Sequence, residues 1–177
     1  WADAAALTVR PAEFPWDRYA YAEALTWYAR AIGAARGGDP ARARADVDRL
    51  KQLRQKLNGY WSNQVDIQVR AAEGWIAHAE GRNEEAEVSL RSAADLEDST
   101  EKSPVTPGSI LPAREMLGDL LLETNQPQKA LDAYERSLKD SPNRLNGLSG
   151  AARAAQLSGD REKARGYYVQ VAKLLGQ

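Results

Sequence analysis

Residues 111–144 read LPAREMLGDLLLETNQPQKALDAYERSLKDSPNR, and this stretch decides the fold. Its first half places Ala113, Met116, Leu117, Leu120 and Leu121 at three- and four-residue spacing, the apolar stripe of an α-helix. Pro112 suits a first helical turn, where a missing N–H costs nothing. Asn125 can adopt the left-handed conformation that ends a helix. Pro127 then opens a second helix, in which Ala130, Leu131, Tyr134 and Leu138 recur, and Pro142 closes it. A link of two or three residues forces two such helices antiparallel. Gly118 and Ala130 are small residues, expected where the two helices approach one another.

The unit recurs along the chain. Turn segments resembling one another begin at Gly38, Gly81 and Gly159, and at Asn125 if Asn stands for Gly. Each has Ala five residues on, at Ala43, Ala86, Ala130 and Ala164. Ala130 and Ala164 are 34 residues apart, as are Tyr134 and Tyr168, and Leu121 and Ala155. The earlier steps are 43 and 44 residues, with the surplus in Asn58–Val65 and Asp98–Gly108.

This pattern resembles the tetratricopeptide repeat. Leu117, Gly118, Leu121, Asn125, Ala130, Tyr134, Ser137 and Pro142 stand where that repeat places Leu, Gly, Tyr, Gly, Ala, an aromatic, Ala and Pro. Residues 145–177, 67–98 and 24–57 follow it more loosely, with Trp27 on the family's tryptophan position. Arg114 departs from the usual aromatic. The resemblance implies an all-α fold: about four helix hairpins stacked into a right-handed superhelix. It divides the chain into an extended lead-in, 1–16, and a single repeat domain, 17–177. The repeats are expected at about 17–57, 61–98, 109–142 and 143–177, with a loop insertion at 98–108. The whole is similar to the C-terminal repeat region of larger bacterial proteins of this kind.

Composition narrows the function. The chain has 177 residues, long enough for a core, with 24 basic and 25 acidic residues and a net charge of -1. That balance argues against a dedicated nucleic-acid binder. Absence of cysteine excludes a disulfide scaffold, a thiolate zinc site and a cysteine nucleophile, and leaves bacterial cytoplasm and periplasm both open. No apolar run reaches the roughly 18–20 residues of a membrane span. A start at Trp1 rather than Met suggests a fragment or processed product.

The edges carry their own signals. Trp1, Phe14 and Trp16 of the lead-in are expected to cover the open side of the first hairpin. Asp17 reads as a helix cap before an apolar face through Tyr21, Leu25, Tyr28 and Ile32. The last helix, about 161–175, has Tyr167, Val171, Leu174 and Leu175 with no helix after it, so it is capped by its own mixed residues or packs on another copy.

Catalytic signals are weak. His78 is the only histidine, so no histidine pair can hold a metal. It reads as a groove contact or as an exposed or hairpin-packed side chain. No nucleophile elbow or phosphate loop occurs. Glu115, Asp119 and Glu123 share one helix face at i, i+4 and i+8, as a solvated face, a groove lining or a catalytic set, the last of which needs an opposing carboxylate that the sequence does not point to. No metal or cofactor is implied.

In the resembled family the first helix of each hairpin lines the concave surface. Carried over, the lining is Leu25, Tyr28, Ile32 and Arg36, then Gln68, Ala71, Trp75 and His78, then Glu115, Asp119 and Glu123, then Asn146, Arg153 and Gln156. Tyr28 and Ile32 stand where the family's two-carboxylate clamp needs Lys and Asn, so that ligand class is not implied. Six basic residues between Arg42 and Lys56 face seven acidic ones between Glu84 and Glu101, as solvated faces or as a contact between copies. The insertion Asp98–Gly108 either folds over the groove mouth or spaces two hairpin pairs.

The expected function is a non-catalytic protein–protein interaction module that holds a peptide or partner segment in its groove, with Trp75, Tyr28 and Arg153 as anchors. Two rivals stand beside it. One is assembly, as a homo-oligomer or spacer. The other is an enzyme or sugar-binding domain using the acidic residues and Trp75 as a stacking platform.

Overall fold

Four successive helix pairs are each closed by the same turn chemistry. In the computed structural model, which describes residues 1–101 and 109–176, the pairs are α2 (Ala20–Arg36) with α3 (Pro40–Arg54) and α4 (Gly59–Ala79) with α5 (Asn83–Ser99). They continue with α6 (Ala113–Glu123) and α7 (Pro127–Asp140), then α8 (Leu145–Leu157) and α9 (Arg161–Leu174). Gly38, Gly81, Asn125 and Gly159 all take positive φ, from 57° to 86°. In each turn the next N–H reaches back to the helix: Asp39 to the Ala34 carbonyl, Arg82 to Ala77, Gln126 to Leu121 and Asp160 to Ala155, at 2.7–2.9 Å. This is the six-to-one bond of a Schellman motif, which satisfies carbonyls that a helix end leaves open. The following helix starts are capped by Asp39, accepting from the Arg42 N–H at 3.0 Å, and by Asp160, accepting from Lys163 at 3.0 Å. Pro40 and Pro127 occupy first-turn positions. All-α architecture among the described residues follows from these repeated local signals.

Contacts divide the chain into two compact units, Trp1–Pro104 and Val105–Gln177. In the first unit α4 packs on both α2 and α3; in the second, α8 packs on α6 and α7. The first core holds Leu50, Leu53, Val65, Leu90 and many alanines; the second holds Met116, Leu117, Leu120, Leu121, Leu131 and Tyr134. Each fully buried aliphatic of this size contributes about 1.5–3 kcal/mol.

Small residues mark where helices close on each other. A Cβ on Gly118 would lie 2.7 Å from Tyr134 Cζ, and its three nearest neighbours are all atoms of that ring rather than of Ala130. A Cβ on Gly150, on α8, would run into the same ring. The Tyr134 ring therefore sits between two glycines of adjacent hairpins. Gly74 plays the same part against Leu90, whose Cγ would be 2.8 Å away.

Two expectations change. Residues 1–16 are not wholly extended: α1 (Ala2–Ala5) is a short helix packed on α2. The helix read as starting at Asp17 starts at Ala20, after a 3-10 turn over Trp16–Arg18. The carbonyl of Tyr19 accepts the Ala22 and Glu23 N–H groups, while Asp17 pairs with Lys56 at 3.5 Å instead of capping. Three basic residues of α3 pair with carboxylates on α4 and at its C-terminal end, Arg54 with Asp66 at 2.9 Å, Lys51 with Glu73 at 2.7 Å, and Arg44 with Glu80, while Arg49 pairs with Glu23 of α2. Of the 98–108 insertion, α5 and its end account for the first residues, and 102–108 lie outside the described residues, as do both roles expected for that loop.

Candidate partner-binding surface

The expected lining residues fall into two groups, one in each unit. In the first unit the geometry withdraws most of them from solvent. Tyr28 is buried, and burial followed by the nearby Glu97 charge pushes its phenol well above the ordinary tyrosine value. Gln68 is half-buried, whereas Ile32 and Ala71 are core. Trp75 is 1% exposed. Arg36 lies over its ring at 3.8 Å, and His78 meets it edge-on at 5.6 Å. A stacking platform for a sugar needs an accessible ring face, and Trp75 offers none; nor can it serve as a surface anchor. His78 is held by Asn83, with Nδ1 2.7 Å from Oδ1. Arg36, Trp75 and His78 are thus brought together, but as a packed stack.

The second unit divides its lining more sharply. Glu115 is 2% exposed and accepts from Arg144 Nε at 2.6 Å and from Nη2 at 3.3 Å. A buried carboxylate is tolerated because a guanidinium and its hydrogen bonds answer the charge. Asp119 accepts from the Tyr134 hydroxyl at 2.6 Å. Burial, and then the Asp119 charge and hydrogen bond, push the Tyr134 phenol far up. Glu123, Asn146, Arg153 and Gln156 remain exposed, with Gln156 accepting from the Tyr168 hydroxyl at 2.9 Å. The continuous acidic strip expected from the sequence therefore does not form, because two of its three carboxylates hold hairpins together.

The first unit contains two further carboxylates that no spacing argument singles out. Glu23, 5% exposed, accepts from Trp27 Nε1 at 2.9 Å and from Arg49 Nη2 at 2.8 Å. Asp46, 3% exposed, pairs with Arg30 at 3.1 Å. Their signal in the sequence is an acidic residue lying on an apolar stripe, Asp46 between Ala43, Val47 and Leu50. Among the described residues no cluster of three or more metal-ligating side chains occurs, and no helix is long and apolar enough to cross a membrane.

Comparison with known proteins agrees with this geometry. Residues 111–144 match the tetratricopeptide repeat family. Two solved structures, a single-substitution variant and its parent, are of a Podosopora anserina protein described as a putative kinesin light chain with nearly identical TPR-like repeats. They align with TM-scores of 0.55 and 0.54 at 20% identity, over 94% and 98% of this chain and 78% and 81% of theirs. No curated protein sequence shows significant similarity to the chain. The fold class is a TPR-like helix-hairpin array. Residues 111–144 carry the pattern of a tetratricopeptide repeat. Such repeats are in general protein–protein interaction modules and typically non-catalytic scaffolds.

Proposed function

We propose that the chain binds a polypeptide segment of a partner protein along the surface formed by α6 and α8, without catalysing a reaction on it. The observation that carries this reading is the separation of roles in that unit. Glu115 and Asp119 are locked to Arg144 and Tyr134, while Glu123, Asn146, Arg153 and Gln156 stay exposed beside them. A rigid pair of helices presenting an arginine, two amides and a carboxylate suits recognition of an extended chain, whose own backbone supplies donors and acceptors. Arg153 is the anchor: arginine combines charge, a fixed fork of donors and a flat stacking surface.

The test is a photo-crosslinking residue placed at Gln156 of the full chain, in cells that produce it. The reading expects a discrete crosslinked protein that disappears when Arg153→Glu is added. A crosslinking pattern identical with and without Arg153→Glu overturns it.

Self-association is a second reading, favoured by one observation. Leu157, Val169, Leu174 and Leu175 of the last hairpin are 46–57% exposed. Light scattering of the purified chain decides: a dimer lost on Val169→Lys supports this reading, and a monomer at all concentrations removes it.

A further inference from the structure

The tripeptide Leu-Asn-Gly occurs twice in the chain, at residues 57–59 and 145–147. An asparagine before a glycine carries both halves of a ring closure: an electrophilic side-chain amide carbon, and a following backbone nitrogen that no Cβ screens. What separates the two copies is the backbone around them. Asn146 lies inside the first turn of α8, and the Arg144 carbonyl before it accepts the Leu148 N–H at 2.9 Å. Gly147 is buried, and a Cβ there would lie 3.1 Å from both Glu115 Oε1 and Leu138 Cδ2. Turning the Asn146–Gly147 peptide would break that helical turn and press on the Glu115–Arg144 pair.

The other copy sits in the link between α3 and α4. Backbone hydrogen bonds hold this link as far as Leu57, whose N–H donates to the Arg54 carbonyl at 3.0 Å. Beyond it they stop. Among the described residues neither the Asn58 carbonyl nor the Gly59 N–H has a backbone partner, and the Asn58 side chain makes no capping bond. Every other hairpin helix has the carbonyl of the residue before it tied to one of its own N–H groups. Asn58 is exposed and extended, with ψ 165°. A Cβ on Gly59 would meet no atom within 4 Å beyond its own helix and chain neighbours. The peptide between the two residues can therefore rotate without breaking a helix. Meanwhile α4 keeps its seat through Arg54–Asp66 at 2.9 Å and Lys51–Glu73 at 2.7 Å.

We propose that Asn58 is a site of spontaneous modification, converted through a cyclic imide to aspartate and isoaspartate, while the fold preserves Asn146 in the same tripeptide. The Gly59 nitrogen bonds to Asn58 Cγ and gives up its proton. The Cγ–Nδ2 bond breaks, and the side-chain nitrogen leaves with that proton as ammonia. Water then opens the ring. Cleavage between the ring nitrogen and Cγ yields aspartate, and cleavage between that nitrogen and the Asn58 main-chain carbon yields isoaspartate. Nothing is oxidised or reduced, and water is the sole co-reactant. Both products place a carboxylate at the start of α4, where the open N–H groups of a first helical turn favour negative charge. Isoaspartate also adds one main-chain atom to the α3–α4 link. The site lies in the first unit and does not depend on partner binding at α6 and α8.

The test incubates the purified full chain in warm, mildly alkaline buffer, once folded and once in urea. Mass spectrometry follows the amide-to-acid change in the peptides that hold Asn58 and Asn146, and an isoaspartate methyltransferase reports the isoaspartate share. In the folded chain Asn58 is expected to convert about ten-fold or more faster than Asn146, because the free energy of opening α8 multiplies into the rate. In urea the two rates should converge, since the tripeptides are then alike. Equal rates in the folded chain overturn the proposal, as does an Asn58 that stays intact when folded while the urea sample converts. A gap of the same size in urea overturns it too, because the flanking residues and not the fold would then set the rate.

Discussion

Arg144 donates to Glu115 across adjacent hairpins at 2.6 Å, from the residue just before α8 to a carboxylate on α6 that is 2% exposed. The pair converts a residue that looks like surface chemistry into a fastening between repeats. Breaking a buried pair by removing one partner leaves a charge without an answer. Arg144→Met is expected to destabilise the chain by about 3 kcal/mol, towards the lower end of such losses because Arg144 is partly exposed. Adding Glu115→Gln should recover much of that loss. A urea series on the two variants checks both statements, and a double variant no better than the single one contradicts them.

The Tyr134 ring is the second fastening, seated between Gly118 and Gly150. Gly118→Leu puts a branched side chain where the ring already lies, and overpacking of this kind costs about 1–3 kcal/mol. A lower urea midpoint with unchanged helix content is the expected outcome. An unchanged midpoint would mean that the hairpin register is different.

The same tyrosine sets an alkaline limit. Its folded-state ionisation lies well above the ordinary value, from burial first and Asp119 second. Below about pH 10 the phenol is neutral folded or unfolded, so its contribution to stability is fully present there. Above that pH the unfolded chain loses the proton while the folded one keeps it, and stability falls by up to about 1.4 kcal/mol per pH unit. Tyr134→Phe should be less stable at pH 8, through loss of the hydrogen bond to Asp119, yet lose less between pH 10 and 11 than wild type. Parallel curves for the two proteins over that interval would contradict this.

Glu80 works at the acid end. Hydrogen bonds from Arg82 and then Arg44 hold its carboxyl below the usual range. Its stabilising share is present above the unfolded value of about 4.3 and is lost as pH falls through the lower, folded value. Glu80→Gln should therefore narrow its gap from wild type as pH drops from 6 to 3. A gap that stays constant over that range counts against the assignment.

What can be read from the sequence is what local chemistry decides. Gly38, Gly81, Asn125 and Gly159 are legible because a left-handed helix end needs such residues wherever it occurs. The apolar stripes around Leu117 and Leu131 are legible for the same reason. Long-range burial is not. Glu115 reads as part of an exposed strip because Arg144 lies 29 residues away and meets it only when α8 stacks on α6. Trp75 reads as a platform because nothing local shows that Arg36, itself under Trp1, covers it. α1 escapes a sequence reading because four alanine-rich residues carry no periodicity; its seat at Gly33 is a feature of another helix. Of the expected surface, Glu123, Asn146, Arg153 and Gln156 stay accessible, while Tyr28, Trp75 and Glu115 belong to the scaffold.

The proposed role rests on the α6–α8 surface being the side that partners meet. The most direct measurement is quantitative capture of cellular proteins on the full chain, compared with Arg153→Glu and with Arg165→Glu on exposed α9. Both are surface changes, expected to shift stability by about 0.5 kcal/mol or less, so differences report on binding. The account predicts a specific set of proteins lost with Arg153→Glu and retained with Arg165→Glu. Retention with Arg153→Glu and loss with Arg165→Glu would place the binding surface on the last helix and contradict the account.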